Sequence, residues 1–152
     1  MLLFSDADDP NHPTLQVYGI EDLNTVLSRS DYLVVAMPLT SDTHHMLNES
    51  NLQYCKRGQV LINIGRGQLI DEPALIAALS DQLLGAALDV FAVEPLPSDS
   101  PLWGLPNVLI SPHNADLTET SRYSSVLQFT ENCRTVIAGD TLSCVVNKKA
   151  GY

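Results

Sequence analysis

The stretch Leu61–Leu79, read LINIGRGQLIDEPALIAAL, allows few folds. Leu61–Ile64 is a short apolar run with β-branched residues, the pattern of a buried strand. Gly65-Arg66-Gly67 breaks that run. Asp71 then suits a helix N-cap, Pro73 suits a first turn, and Leu75, Ile76 and Leu79 share one helical face. Strand, glycine loop and helix in that order predict a βα unit, with Arg66 at the carboxyl end of the strand. Ligands of open parallel sheets bind in the crevice outside those ends. Arg66 is also the only Lys or Arg between Gly58 and Ser121, so an anion bound on this side has one local cation to meet it.

The flanking sequence extends the pattern. Met1–Phe4 and Leu15–Gly19 suit short strands, separated by an acidic loop, Ser5–Pro13. Glu21–Ser28 carries Leu23, Val26 and Leu27 at helical spacing. Tyr32–Met37 is a continuous apolar run that Pro38 stops. Asn48–Cys55 suits a short helix capped by Asn48, and Gln59–Ile64 is the next strand, followed by a helix over Asp71–Ser80. Ala86–Phe91 and Asn107–Ile110 are further strands, joined through a loop holding Pro95, Pro97, Pro101 and Pro106, with Trp103 as its expected core anchor. Tyr123, Val126, Leu127, Cys133, Val136 and Ile137 predict one amphipathic helix over Asp116–Ala138. Gly139 should end it, leaving a short tail strand at Leu142–Val146. Strands alternating with helices predict an α/β fold with a parallel sheet and right-handed crossovers.

Composition narrows the function. With 152 residues, 45% hydrophobic and 17% charged, the chain can bury a core. Its net charge of −10 argues against nucleic acid and against an anionic membrane surface. Cys55, Cys133 and Cys144 are odd in number and widely spaced, as in reduced thiols of a cytoplasmic protein. MLLFSDADDP lacks a basic n-region, so no secretory signal is expected, and no apolar run reaches membrane-span length.

Three successive strands deliver Arg66, then Asp89 and Glu94, then His113 to their carboxyl-end loops. Singly, each has a plainer explanation: a surface charge, a solvated carboxylate, a loop histidine. Together they put a cation, carboxylates and an imidazole on one ligand-binding edge, which suits reduction of a 2-keto acid. A guanidinium grips a carboxylate bidentately, an imidazolium protonates a carbonyl oxygen as hydride arrives, and a neighbouring carboxylate favours the charged imidazole. His44-His45 lacks the spacing of a metal pair, and no metal is expected.

INIGRGQLIDEPAL, GAALDVFAVEPLP, SPHNA and the PLT at Pro38–Thr40 with Thr43-His44-His45 resemble the D-isomer-specific 2-hydroxyacid dehydrogenases. SPLWGLPNVLISPH and the ending Gly151-Tyr152 are most similar to the glyoxylate/hydroxypyruvate reductase branch. The resemblance implies a Rossmann-like domain that reduces a small 2-keto acid with NAD or NADP, in an enzyme that forms a homodimer. Arg66 would bind the substrate carboxylate, Glu94 would pair with the histidine, and His113 would be the acid/base. Ile64, Gly65 and Arg66 would line the nicotinamide side, Asp89 would bond the carboxamide, and Leu39 and Thr40 would lie near the adenosine half. His113, Asn114, Ala115 and Asp116 would close over the nicotinamide, and Asp116 is a departure that adds negative charge there. An acidic residue at Ser5-Asp6, where the ribose would lie, weighs toward NAD.

The chain contains no G-x-G-x-x-G. It is therefore expected to be a partial dinucleotide-binding domain lacking its first βα unit. Residues 1–138 would be the carboxyl-terminal portion of that domain and residues 139–152 a tail returning toward a substrate domain. A complete two-domain enzyme would need about twice this length. Alone, the chain is expected to bind dinucleotide poorly, since nothing cradles the pyrophosphate. The alternatives are a non-catalytic fragment or interaction module that keeps the fold, and a nucleotide-binding domain of another reaction class.

Overall fold

The computed structural model describes residues 2–5, 15–118 and 120–149. Four strands form a parallel sheet in the order β3–β4–β5–β6: β3 is Tyr32–Val35, β4 Val60–Asn63, β5 Gly85–Leu88 and β6 Val108–Ile110. The register aligns Leu33, Leu61, Ala86 and Val108 in one row, and Val35, Asn63, Leu88 and Ile110 in another. Both rows point to one face. Leu61 there is fully buried, and Leu33, Val35, Ala86 and Leu88 join the same apolar core. Three helices contribute to that core: α1 (Leu23–Arg29), α2 (Glu49–Leu52) and α3 (Glu72–Asp81). The alternate row, Tyr32, Val34, Ile62, Ala87 and Leu109, faces the other way, and Tyr32, Val34 and Leu109 are exposed.

Local chemistry explains the element ends. Asn48 caps α2: its side chain accepts from Ser50 N, while Asn51 Oδ1 accepts from Asn48 N at 2.9 Å. Buried Gln59 donates to the carbonyls of Leu27 and Ser30 at 3.2 and 2.6 Å, fastening the end of α1 to the start of β4. Asp71 stands at the N-cap of α3 with Pro73 in the first turn, but its side chain makes no capping bond.

Several expectations are corrected. The first two strands, β1 (Leu2–Ser5) and β2 (Leu15–Tyr18), form an antiparallel pair apart from the four-stranded sheet, because β1 meets its hydrogen-bonding partner in β2. The helix expected over Asn48–Cys55 is shorter, Glu49–Leu52. The strand expected to reach Phe91 ends at Leu88, the last residue of β5 paired in register with β6. Trp103 is 55% exposed, its indole N–H bonded to Pro97 O at 2.8 Å, and neighbouring Leu102 is the buried anchor. The long helix α4 spans Ser121–Ala138, not Asp116–Ala138, and none of its residues is buried. The delay has a local cause. Thr118 N donates to Ser121 Oγ and Ser121 N to Thr118 Oγ1, a reciprocal pair of the capping-box kind that sets the helix start after Thr118. Gly139 does end α4, in the left-handed region at φ 77°. Leu142–Val146 forms no strand, having no ladder partner among the described residues. Asp6, on which the weighing toward NAD rests, lies outside the described residues.

Candidate active site

The loops after β4, β5 and β6 meet at the carboxyl edge of the sheet. The first is shaped by Asn63, the last residue of β4, which is 1% exposed. Its Oδ1 accepts from Gly65 N and its Nδ2 donates to Arg66 O, both at 3.1 Å. This side chain fixes the turn that carries Arg66 outward. Arg66 itself is exposed, with Nη1 donating to Gly65 O at 2.7 Å. Gly67 then passes against the next loop so closely that an added Cβ would lie 1.9 Å from Phe91 C. The Arg66 loop and the Glu94 loop are thus packed backbone to backbone.

The loop after β3 is tied in as well. His45 N donates to Gln68 O, and Leu47 N to Leu69 O. Leu39 and Thr40 are half-buried, and Thr43 Oγ1 holds the turn by accepting from Thr40 N at 2.8 Å and donating to Pro38 O. His44 and His45 stack at 3.9 Å between ring centroids, and no metal-binding group occurs among the described residues.

After β5, Asp89 is buried, and its carboxylate gathers the segment that follows β6. Oδ1 accepts from Ser111 Oγ at 2.5 Å and Asn114 N at 3.0 Å, and Oδ2 accepts from Ala115 N at 2.8 Å. The Asp89 carbonyl also accepts from His113 N at 2.8 Å. Burial pushes the Asp89 carboxyl up, but the bonds from Ser111, Asn114 and Ala115 and the field of His113 outweigh it, so its pKa is lowered. Glu94 Oε1 accepts from Phe91 N at 2.9 Å, which aims Oε2 at His113 Nδ1, 2.7 Å away. Burial raises the Glu94 carboxyl too. The His113 bond, the Phe91 N–H and the charges of His113 and Arg66 together bring it below the ordinary value.

The structure therefore brings Arg66, Asp89, Glu94, His113, Asn114 and Ala115 onto one edge of the sheet. Ile64 and Gly65 lie in the Arg66 loop, with Ile64 46% exposed and Gly65 buried. Asp116 is exposed and its carboxylate makes no hydrogen bond or ion pair among the described residues; only its carbonyl is used, by Thr118 N. From sequence alone Asn63 has no assigned role, and Ser111, with no nucleophile elbow around it, is excluded only as a hydrolase nucleophile. An Asn two residues before a glycine turn is a signal for the first, because Asx side chains bond backbone two residues on. Ser111 carries no such local signal, since its partner Asp89 is distant in sequence.

Both carboxyls bind protons less readily in this fold than in an unfolded chain. The stability they contribute is present above their ordinary values, 4.5 for Glu and 3.8 for Asp, and is lost as pH falls through the lowered ones. Urea midpoints followed by circular dichroism should fall as pH drops below about 4.5, and fall less steeply in Asp89→Asn. Equal acid slopes in the two proteins would contradict the assignment for Asp89.

A parallel sheet with charged loops at its carboxyl edge is the general arrangement of open α/β ligand-binding domains. The chain belongs to the D-isomer specific 2-hydroxyacid dehydrogenase family, whose NAD binding domain matches residues 2–115. It is 46% identical over 127 residues to glyoxylate/hydroxypyruvate reductase B of Enterobacter agglomerans, a stretch covering 83% of this chain and 39% of that protein. It is similar to the D-isomer specific 2-hydroxyacid dehydrogenase of Xanthobacter autotrophicus Py2, crystallised with NADPH and MES. The TM-score there is 0.82 at 42% identity, covering 90% of this chain and 56% of that one. An NADPH-dependent glyoxylate/hydroxypyruvate reductase of Sinorhizobium meliloti, crystallised with NADP and sulfate, gives a TM-score of 0.81 at 35% identity, covering 89% of this chain and 44% of that one. The chain thus spans about two fifths of the length of the curated relatives it matches. No helix among the described residues is long and apolar enough to cross a membrane.

Proposed function

We propose that this domain serves a reductase of small 2-keto acids such as glyoxylate or hydroxypyruvate. The observation that carries this is the His113–Glu94 pair, Nδ1 to Oε2 at 2.7 Å, beside a loop whose Arg66 charge is felt at Glu94. Arg66 binds the substrate carboxylate through its planar fork. Glu94, ionised and so only an acceptor, accepts a hydrogen bond from the Nδ1–H of His113, which keeps that proton on the ring and leaves the Nε2–H to be delivered to the carbonyl oxygen.

The donor set fits a nicotinamide dinucleotide. Asp89 Oδ2 accepts one bond and keeps a lone pair for an amide N–H, as a carboxamide would offer. When bound, that group supplies the hydride. Leu39, Thr40, Ile64, Gly65 and Arg66, with His113, Asn114, Ala115 and Asp116, line its place. Asp6 favours NAD by the charge argument, whereas the two solved relatives described above hold NADPH and NADP. In the whole protein, residues 1–138 form the carboxyl-terminal portion of the cofactor domain, residues 139–152 return toward a substrate domain, and two copies pair as a homodimer.

A chimera tests the reading. This chain replaces the matching segment of the Enterobacter agglomerans reductase, and glyoxylate and hydroxypyruvate reduction is assayed with NADH and NADPH. Saturable turnover that Arg66→Ala removes is the expected result. A folded chimera that binds dinucleotide and reduces neither acid would favour the non-catalytic alternative.

A further inference from the structure

We propose that Ser111 is a positioning residue: its hydroxyl locks the Asp89 carboxylate as a clamp that holds the His113 segment in place for Glu94. The clamp itself is read from this chain, while its catalytic consequence rests on the reductase reading.

His113 has a positive φ of 51°, a backbone conformation uncommon for non-glycine residues and here held by the bonds on either side. Ser111 N donates to Leu88 O and His113 N to Asp89 O, extending the ladder past the end of β6 while Pro112 between them has no N–H to give. Beyond His113, the N–H groups of Asn114 and Ala115 both turn onto the Asp89 carboxylate. Those two bonds need the carboxylate in one rotation. Ser111 Oγ, at 2.5 Å from Oδ1, is the only side-chain donor to Asp89 among the described residues. Without it, a buried carboxylate loses a donor and its fixed orientation together. The slack would be passed to Asn114 and Ala115, and through the His113 backbone to the Nδ1–Glu94 contact. The imidazole is held by Glu94, Nδ1 to Oε2 at 2.7 Å, and the backbone by Asp89, whose carbonyl accepts from His113 N.

The test uses the full chain with Ser111→Ala, and a Ser111→Thr and Ser111→Val pair of nearly equal shape. Three signals are read by NMR: amide exchange at Asn114 and Ala115, the His113 Nδ1 proton resonance, and amide exchange in β4 as the reference. In Ser111→Ala and Ser111→Val, exchange at Asn114 and Ala115 should rise about tenfold, the effect of losing roughly one hydrogen bond. The Nδ1 resonance should broaden, and β4 should keep its protection. Ser111→Thr should behave as wild type. Unchanged loop exchange in Ser111→Ala, equal behaviour of the Thr and Val variants, or an equal rise in β4 would each overturn the clamp. None of these readings needs substrate, so failure of the reductase reading shows separately as an inactive chimera with a protected Asn114 and Ala115. In an active chimera, Ser111→Ala should lower kcat more than it raises KM.

Discussion

In an active chimera, His113→Asn is expected to lower turnover roughly 10²–10⁴-fold, the usual contribution of one general acid–base group. Asparagine is the substitution of choice because of the backbone. At φ 51°, alanine would add conformational strain to the loss of the imidazole, whereas Asn tolerates the left-handed region. Bonds through the backbone, from His113 N to Asp89 O and from Asn114 and Ala115 to the carboxylate, do not involve the imidazole and should survive. Dinucleotide affinity should therefore change much less than turnover. Single-turnover kinetics and a direct titration with NADH or NADPH separate the two. Collapse of cofactor binding with turnover per bound complex intact would make His113 a structural residue.

Much of this site was legible because each residue follows a strand that advertises itself. Apolar runs place β4, β5 and β6, and whatever follows a parallel strand lies at the carboxyl edge. Arg66, Asp89 and His113 could thus be set side by side without a structure. Asn48 was legible as a cap for a similar reason: its chemistry acts within three residues. The details set by distant partners were hidden. Asp89 suggested a ligand contact, but most of its lone pairs are used in holding Ser111, Asn114 and Ala115. That use depends on how β5 and β6 align. The apolar stripe of α4 shows the same limit. Spacing identifies Tyr123, Val126 and Leu127 as a face, yet all three are more than half exposed, because periodicity says nothing of the surface a face meets. The turn before α4 was misread for a third reason. The side chains of Thr118 and Ser121 cap each other's backbone N–H and so fix the helix start, whereas apolar spacing carries no information on where a helix begins.

Gly67→Ala should damage both fold and site, although Gly67 bears no reactive group. Its φ is not the reason, since it lies outside the left-handed region. Space is the reason. A Cβ there would sit 1.9 Å from Phe91 C, 2.1 Å from Phe91 O and 2.5 Å from Ala92 N, and all three are backbone atoms that no rotamer change can move aside. One loop must retreat. Moving the Arg66 loop strains the Asn63 bonds to Gly65 and Arg66. Moving the other displaces Phe91 N, whose bond to Oε1 aims Glu94 at His113. Either way the distance between Arg66 and His113 changes. Overpacking of this kind costs about 1–3 kcal/mol, which urea unfolding would register as a lower midpoint at unchanged slope. The His113 Nδ1 proton resonance should shift as well, because Glu94 loses its fixed position. Gly104→Ala is the matched control: nothing lies within 4 Å of its added Cβ, and the change should stay within about 0.5 kcal/mol. If Gly67→Ala matched Gly104→Ala in stability and left the Nδ1 resonance in place, the two loops would not be coupled through their backbones.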